Sequence, residues 1–180
     1  GAITTNVTPS KNPVCEGTPV TYSATPDNAS SYRWYVNGTY IAGETGATYT
    51  YTPVNGDIVR CAALVECYTS YENYNSVTVV VLPEPAAAVA SNNSPVCAGD
   101  NVQFILNGTA DATVTYNING GANVATTLTG GTATITVTGA TANQTLNLVS
   151  VANPGCTIPL TGSSMVTVHP LPNPGPIIPD

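Results

Sequence analysis

Five cysteines give this 180-residue chain its main capacity for side-chain chemistry. Thiols bind metals, act as nucleophiles or form disulfides, and their spacing distinguishes these roles. Cys61 and Cys67 are six residues apart, which fits no zinc motif, and the single histidine, His169, lies far from them and directly before a proline. The cysteines therefore favour a disulfide framework, which implies an oxidising compartment.

The cysteines occur within an internal repeat. Residues 13–17, Pro-Val-Cys-Glu-Gly, recur as residues 95–99, Pro-Val-Cys-Ala-Gly, a shift of 82 positions. Further along, Cys67 corresponds to Cys156 at a shift of 89, because the second copy carries a seven-residue insertion. Two tandem copies predict two modules that form part of an array.

Composition sets the expected module boundaries. We expect a first module at residues 1–83, a second at 84–172, and the start of a linker to a next module at 173–180. The junction Leu-Pro-Glu-Pro at residues 82–85 is short and rich in proline, and proline restricts the backbone and favours extended spacing.

Repeat symmetry predicts the disulfide pairs. The second module contains only Cys97 and Cys156, so these two are expected to pair, and the corresponding pair in the first module is Cys15 with Cys67. Closing loops of this length contributes about 4 kcal/mol in the chain-entropy model.

Cys61 is then the unpaired cysteine, and we expect a free thiol buried against Trp34. Two alternatives stay open: a Cys15–Cys61 bridge that leaves Cys67 free, or an intermolecular bond. Trp34, the only tryptophan, could serve as a platform for a sugar, but its place on the third strand, matched by Tyr116, predicts a core residue.

Residues 66–75 are the one segment whose composition suggests binding. Tyr68, Tyr71 and Tyr74 recur every third residue, together with two acids and amide side chains. Tyrosine combines a rigid apolar ring with a polar hydroxyl, which suits recognition of a glycan or a protein. The competing interpretation is that these rings only cover a disulfide. The second module lacks the aromatic residues.

The charges exclude several functions. The chain has ten acids and only three bases, and residues 84–180 contain no lysine or arginine. Nucleic-acid binding needs a cationic surface, and no apolar run approaches the ~20 residues of a membrane span, so neither nucleic-acid binding nor membrane insertion is expected. Scattered acids and an isolated His169 predict no metal site, no cofactor and no enzymatic activity.

Period-2 alternation of β-branched and aromatic residues with polar ones runs through both modules, and no helical period is sustained. Asn37-Gly38 between two strand-like segments is a strong hairpin signal, and Asn119-Gly120 marks the matching position. About seven short strands per module predict an all-β chain of two tandem Ig-like β-sandwiches.

The motifs carry a family resemblance. Pro-Val-Cys-x-Gly, then residues 32–38 (Tyr-Arg-Trp-Tyr-Val-Asn-Gly) and residues 49–57 (Tyr-Thr-Tyr-Thr-Pro-Val-Asn-Gly-Asp), resemble the Ig-like repeats of large Bacteroidota cell-surface adhesins. Such repeats occur in type IX secretion substrates, including gliding-motility adhesins of the SprB kind. The resemblance implies an extracellular location at the bacterial cell surface and supplies no catalytic residues.

Together these observations predict structural spacer or stalk repeats of a long secreted surface adhesin, engaged in cell adhesion or gliding motility. The expected partners are neighbouring repeats of the same chain and an extracellular glycan or surface. Two alternatives remain: a glycan- or protein-binding module that uses residues 66–75, or an accessory module of a secreted enzyme.

Overall fold

The computed structural model describes residues 4–65, 74–173 and 175, and these contain strands and turns without a helix. The all-β prediction is confirmed. By its contacts the chain forms two compact units: residues 1–84 with 154–156, and residues 85–153 with 157–180.

The first unit is a β-sandwich of two antiparallel sheets. One sheet has the strand order β1-β3-β6, the other β5-β4-β7-β8, and a short parallel pair, β2-β9, closes one edge. This order is that of an Ig-like sandwich, in which Greek-key connections cross between two facing sheets. The strands are β1 (Asn6–Pro9), β2 (Val14–Cys15), β3 (Val20–Thr25), β4 (Ser31–Val36), β5 (Thr39–Tyr40), β6 (Thr48–Tyr51), β7 (Ile58–Leu64), β8 (Ser76–Thr78) and β9 (Val81–Leu82).

The second unit repeats this topology. Its sheets have the orders β10-β12-β15 and β14-β13-β16-β17, with β18 also paired to β16, and β11 pairs with β19 in parallel. The strands are β10 (Ala87–Asn92), β11 (Val96–Cys97), β12 (Val102–Gly108), β13 (Thr113–Ile118), β14 (Val124–Thr127), β15 (Thr132–Val137), β16 (Gln144–Asn153), β17 (Cys156–Pro159), β18 (Ser163–Val166) and β19 (Val168–His169).

Alternation of side chains builds each core, because successive residues of a strand face opposite sides of the sheet. In the first unit the inward residues of β4 and β7 include Trp34 and Cys61, which are cross-strand neighbours and fully buried. The Trp34 indole N–H donates to the Gly46 carbonyl at 2.9 Å. Trp34 is therefore a core residue and cannot serve as a sugar platform.

Cys61 is a buried free thiol, as expected from the sequence. Burial raises its pKa to about 12, against a smaller lowering from the backbone of Arg33. Because the thiolate is the reactive form, this thiol stays protonated and inert at neutral pH.

The hairpin corners hold the strands in register with polar side chains. Asn37 and Asn119 both adopt positive φ, at 51° and 55°, in the Asn-Gly turns that the sequence predicted. In the first unit the Asn37 amide donates to the Asp57 carboxylate at 2.8 Å, whereas in the second the Asn119 amide donates to the neutral Gln144 amide oxygen at 2.9 Å. The same corner thus contains a buried acid only in the first unit.

The disulfide differs from the predicted pairs. Cys15 is bonded to Cys156, with their Cα atoms 4.9 Å apart, and Cys97 is an exposed free thiol. This bond replaces the predicted Cys15–Cys67 and Cys97–Cys156 bridges and excludes the alternative Cys15–Cys61 bridge. Cys67 lies outside the described residues.

The physical reason for the difference is the position of the β16–β17 turn. Residues 154–156 make their contacts with the first unit, so the repeat symmetry does not confine each bridge to one repeat. Gly155, at φ 84°, packs so closely on Pro13 that an added Cβ would lie 2.7 Å from the Pro13 carbonyl oxygen. The absence of a side chain at Gly155 lets Cys156 reach Cys15.

Candidate interaction surface

The outer face of the β5-β4-β7-β8 sheet in the first unit carries a row of aromatic and cationic side chains. The register pairs Tyr40 with Tyr35, and Tyr35 with Arg60, on the side of the sheet opposite Trp34. Tyr74 lies beyond them, just before β8. We call Tyr40, Tyr35, Arg60 and Tyr74 the tyrosine–arginine row.

The Arg60 guanidinium lies between two rings. Its central carbon is 4.5 Å from the Tyr35 ring centre and 4.4 Å from that of Tyr74, and its Nη1 donates to the Tyr74 hydroxyl. The Tyr35 and Tyr40 ring centres are 5.7 Å apart. Cation–π contacts of this kind are each worth about 0.5–1 kcal/mol at exposed sites, so they favour this arrangement of the row.

The N-terminal strand holds the backbone next to Tyr74. Tyr74 forms a parallel bridge with Thr5, the Asn75 N–H donates to the Thr5 carbonyl at 3.1 Å, and the Val7 N–H donates to the Asn75 side chain at 2.7 Å. Tyr74 and Tyr40 nevertheless remain 43% and 45% exposed. Their outer ring faces are therefore accessible while their positions are fixed.

The binding segment predicted from sequence is described only at its end. Tyr74 belongs to the row, whereas Tyr68 and Tyr71 lie outside the described residues. Sequence reasoning missed Tyr35, Tyr40 and Arg60. The signal that could have found them is the alternation in β4 and β7: once Trp34 and Cys61 face inward, Tyr35 and Arg60 must face outward.

The second unit has amides at the equivalent positions. Asn117 takes the place of Tyr35 and is the register partner of Asn147, whose amide donates to the Asn117 oxygen at 3.0 Å. Asn117 in turn donates to Asn123 at 3.3 Å. The tyrosine–arginine row therefore belongs to the first unit alone among the described strands.

The described part of the chain contains no group of three or more His, Cys, Asp or Glu side chains placed to hold a metal ion. Over those residues no helix is long and apolar enough to cross a membrane.

Comparison with known proteins gives one sequence relative and several similar structures. No known family profile matches the chain. The highly immunogenic outer capsid protein of Enterobacteria phage T4 is 30% identical over 189 aligned positions, which cover 87% of this chain and 50% of that protein. The chain thus spans half the length of this curated relative.

Among solved structures, a Ca²⁺-stabilised adhesin with which an Antarctic bacterium binds ice is 18% identical, with a TM-score of 0.41 over 95% of this chain and 50% of that one. Murine CEACAM1b is 12% identical, with a TM-score of 0.47 over 93% of this chain and all of that one. These scores are low, so the Ig-like assignment rests on the strand order of the two units.

Proposed function

We propose that the chain is a pair of spacer modules of an extracellular surface protein, which keep their length under tension and hold an adhesive or anchoring region in place. The observation that carries this proposal is the Cys15–Cys156 bond, which closes a loop with a sequence separation of 141 residues. Tension applied to the chain ends passes from Cys15 through the bond to Cys156. The residues between them cannot add to the extension.

When the disulfide is reduced, hydrogen bonds between the terminal strands still resist extension within each unit. The Val14 and Glu16 N–H groups donate to Val80 and Leu82 carbonyls at 3.0 and 2.9 Å. In the second unit Val96 and Ala98 donate to Thr167 and His169 at 3.0 and 2.8 Å. Because each pair is parallel, pulling the ends of a unit apart loads these bonds together rather than one after another.

An extracellular location follows from the same chemistry. A disulfide persists in an oxidising compartment, and small domains outside cells often use one to supplement a modest core. The similarity to an outer capsid protein supports a role for such modules on an outer surface. The resemblance to Bacteroidota adhesin repeats supports the finer proposal of a cell-surface adhesin secreted by the type IX route and used in attachment or gliding motility.

The proposal includes the absence of catalysis. His169 lies on β19 and is the register partner of Cys97, and burial holds Cys61 protonated.

Force spectroscopy on single molecules held at the two chain ends tests the spacer role. With the bond intact, unfolding should leave the 141-residue loop closed, and adding a reductant should release roughly 470–510 Å of further contour length, at ~3.3–3.6 Å per residue. Cys97→Ser is the matched control, since it removes an exposed thiol and should leave the oxidised trace unchanged. Full extension of the oxidised wild-type chain at low force would contradict the proposal.

The tyrosine–arginine row favours a second function, recognition of a glycan by the first unit. Sugar rings stack on exposed tyrosine faces, and a guanidinium donates to hydroxyl, carboxylate or sulfate oxygens. The Arg60 guanidinium favours an acidic glycan at this face, although the chain as a whole has a formal net charge of −7.

An array of neutral, carboxylated and sulfated glycans, followed by titration of the strongest binder, tests this second function. Tyr35→Ala and Arg60→Ala should each weaken binding at least tenfold, and Asn117→Ala, the matched change in the second unit, should not. Binding that survives both changes in the row, or the absence of saturable binding to any glycan class, would exclude it.

A further inference from the structure

Cys97 occupies the same local structure as Cys15. A four-residue turn begins at each: Thr18 N–H donates to the Cys15 carbonyl at 3.2 Å, and Asp100 N–H donates to the Cys97 carbonyl at 3.0 Å. The third residue of each turn is a glycine at positive φ, 77° at Gly17 and 98° at Gly99. Each cysteine also ends a short strand paired in parallel with the last strand of its repeat.

The two positions differ in what covers them. In the first unit the turn at residues 154–156 packs on Pro13, Val14 is fully buried, and Cys15 is 9% exposed and bonded. In the second repeat Pro95 and Cys97 are exposed, Val96 is half-buried, and Cys97 carries a free thiol. The second Pro-Val-Cys segment thus has the backbone of a bonding site without the turn that covers the first.

We infer that Cys97 is the disulfide acceptor for a following repeat of the same chain, bonding the cysteine of that repeat that corresponds to Cys156. A glycine before that cysteine would pack on Pro95 as Gly155 packs on Pro13. This inference rests on the proposed function, because it requires an array with a further repeat. In this arrangement the cysteine at the Cys97 position of each repeat bonds to the following repeat. The cysteine at the Cys156 position bonds to the preceding repeat.

Bond formation follows ordinary thiol–disulfide exchange. The donor cysteine first forms a mixed disulfide with a small-molecule disulfide such as oxidised glutathione, releasing one reduced thiol. The Cys97 thiolate then attacks the protein sulfur of that mixed disulfide and expels a second reduced thiol. The two cysteines lose two protons and two electrons, and the small disulfide is reduced.

An extended chain tests the inference directly. Residues 1–174 are followed by a second copy of residues 86–174, in a Cys67→Ser background that removes one competing thiol, and the chain is oxidised in a glutathione buffer. Non-reducing peptide mapping should give Cys15–Cys156 together with a bond from Cys97 to the Cys156 counterpart in the added copy. A Cys97 that stays open to alkylation, or a bond within the added copy, would overturn the inference.

A matched variant gives the geometric control. Changing only the added copy's counterpart of Gly155 to valine should lower the yield of the Cys97 bond at least tenfold, because a side chain there would clash with Pro95. The Cys15–Cys156 bond should be unaffected. An equal yield with glycine and valine would show that the bond forms without the proposed packing, and would also overturn the inference.

A second measurement uses the unextended chain and does not depend on folding of the added copy. A peptide of residues 150–159 whose cysteine carries glutathione is offered to the oxidised chain. The peptide should form a disulfide with Cys97, releasing glutathione, at least tenfold faster than the same peptide with Gly155→Val. Equal rates of disulfide formation for the two peptides would contradict the inference. Because the force measurement above depends on the Cys15–Cys156 bond and not on a bond at Cys97, failure here would leave the spacer proposal standing.

Discussion

The two Pro-Val-Cys segments have nearly the same backbone and opposite chemical states. Residues 13–15 lie under the turn at 154–156, and Cys15 is bonded to Cys156, whereas residues 95–97 are uncovered and Cys97 is a free thiol. The local sequence and hydrogen bonds therefore do not decide whether this cysteine is paired. What decides it is the presence of a glycine-containing turn against the segment.

The same contrast extends over the two units. They share a strand order, parallel terminal strands and an Asn-Gly corner, yet the first unit alone carries the buried acid Asp57 and the tyrosine–arginine row. A repeated fold thus supports different surfaces.

Removing the covalent bond should have the largest effect. In the chain-entropy model, Cys156→Ala costs the first unit about 5 kcal/mol of unfolding free energy, because the closed loop spans 141 residues. Denaturant unfolding followed by the fluorescence of Trp34, which lies in the first unit, measures this loss. Cys97→Ala is the control and should change stability by less than about 0.5 kcal/mol. If Cys156→Ala and Cys97→Ala lower the free energy of unfolding equally, the two Pro-Val-Cys segments do not differ in the way described above.

The next largest effect should be that acid lowers the stability of the first unit, which contains Asp57, more than that of the second. Burial of Asp57 acts to raise its pKa, but hydrogen bonds from the Val54 N–H, the Asn37 amide and the Tyr51 hydroxyl outweigh burial and hold the pKa of this carboxyl below its usual value. The folded pKa lies below the unfolded pKa of about 3.9. The contribution of Asp57 to stability is therefore present above pH 4 and is lost as the pH falls through the folded pKa.

Asp57→Ala should cost about 1–3 kcal/mol at neutral pH, because it leaves three donors without their acceptor. It should also flatten the decline of stability in acid that Trp34 fluorescence reports. Gln144→Ala at the matching corner of the second unit should leave the pH dependence unchanged. If the free energy of unfolding of the wild-type chain stays constant as the pH is lowered below 4, the role assigned to Asp57 is refuted.

The terminal strand pairs should give the smallest effect. Glu16 and Ala98 are each the second residue of a turn whose third residue is a glycine at positive φ. The second position of such a turn accepts proline. Glu16→Pro and Ala98→Pro therefore remove one N–H donor each, at a cost of less than about 1.5 kcal/mol. The loss should be smaller at Glu16, since the neighbouring Cys15 bond also holds β2.

Glu16→Ala and Ala98→Ser keep the N–H and serve as controls in denaturant titrations followed by far-ultraviolet circular dichroism, which reports on the strands of both units. A larger loss for Glu16→Pro than for Ala98→Pro in the oxidised chain would show that the disulfide does not support β2. Reduction should then make the two losses similar.

The fold could be predicted from sequence because its signals are local. Alternation over β3, β4 and β7, and the Asn-Gly turns at Asn37 and Asn119, fix strands and hairpins within a few residues. Trp34 and Cys61 could be assigned to the core for the same reason.

The remaining features depend on distant contacts. The two-residue strands β2 and β11 are too short to give a periodic signal, and their pairing with β9 and β19 is set by tertiary structure. Repeat symmetry suggested bridges within each repeat, because sequence correspondence cannot show that Gly155 packs on Pro13. The tyrosine–arginine row was missed because its contacts join residues of β4, β5 and β7 with Tyr74, which lies just before β8.

Non-reducing peptide mapping of the oxidised chain decides whether Cys15 is bonded to Cys156. Digestion after alkylation of free thiols should yield a peptide pair that joins Cys15 to Cys156, with Cys97 alkylated in the native state and Cys61 alkylated only after unfolding. Peptide pairs joining Cys15 to Cys67 and Cys97 to Cys156 would contradict the account, because each bridge would then close within one repeat and the chain could extend between them.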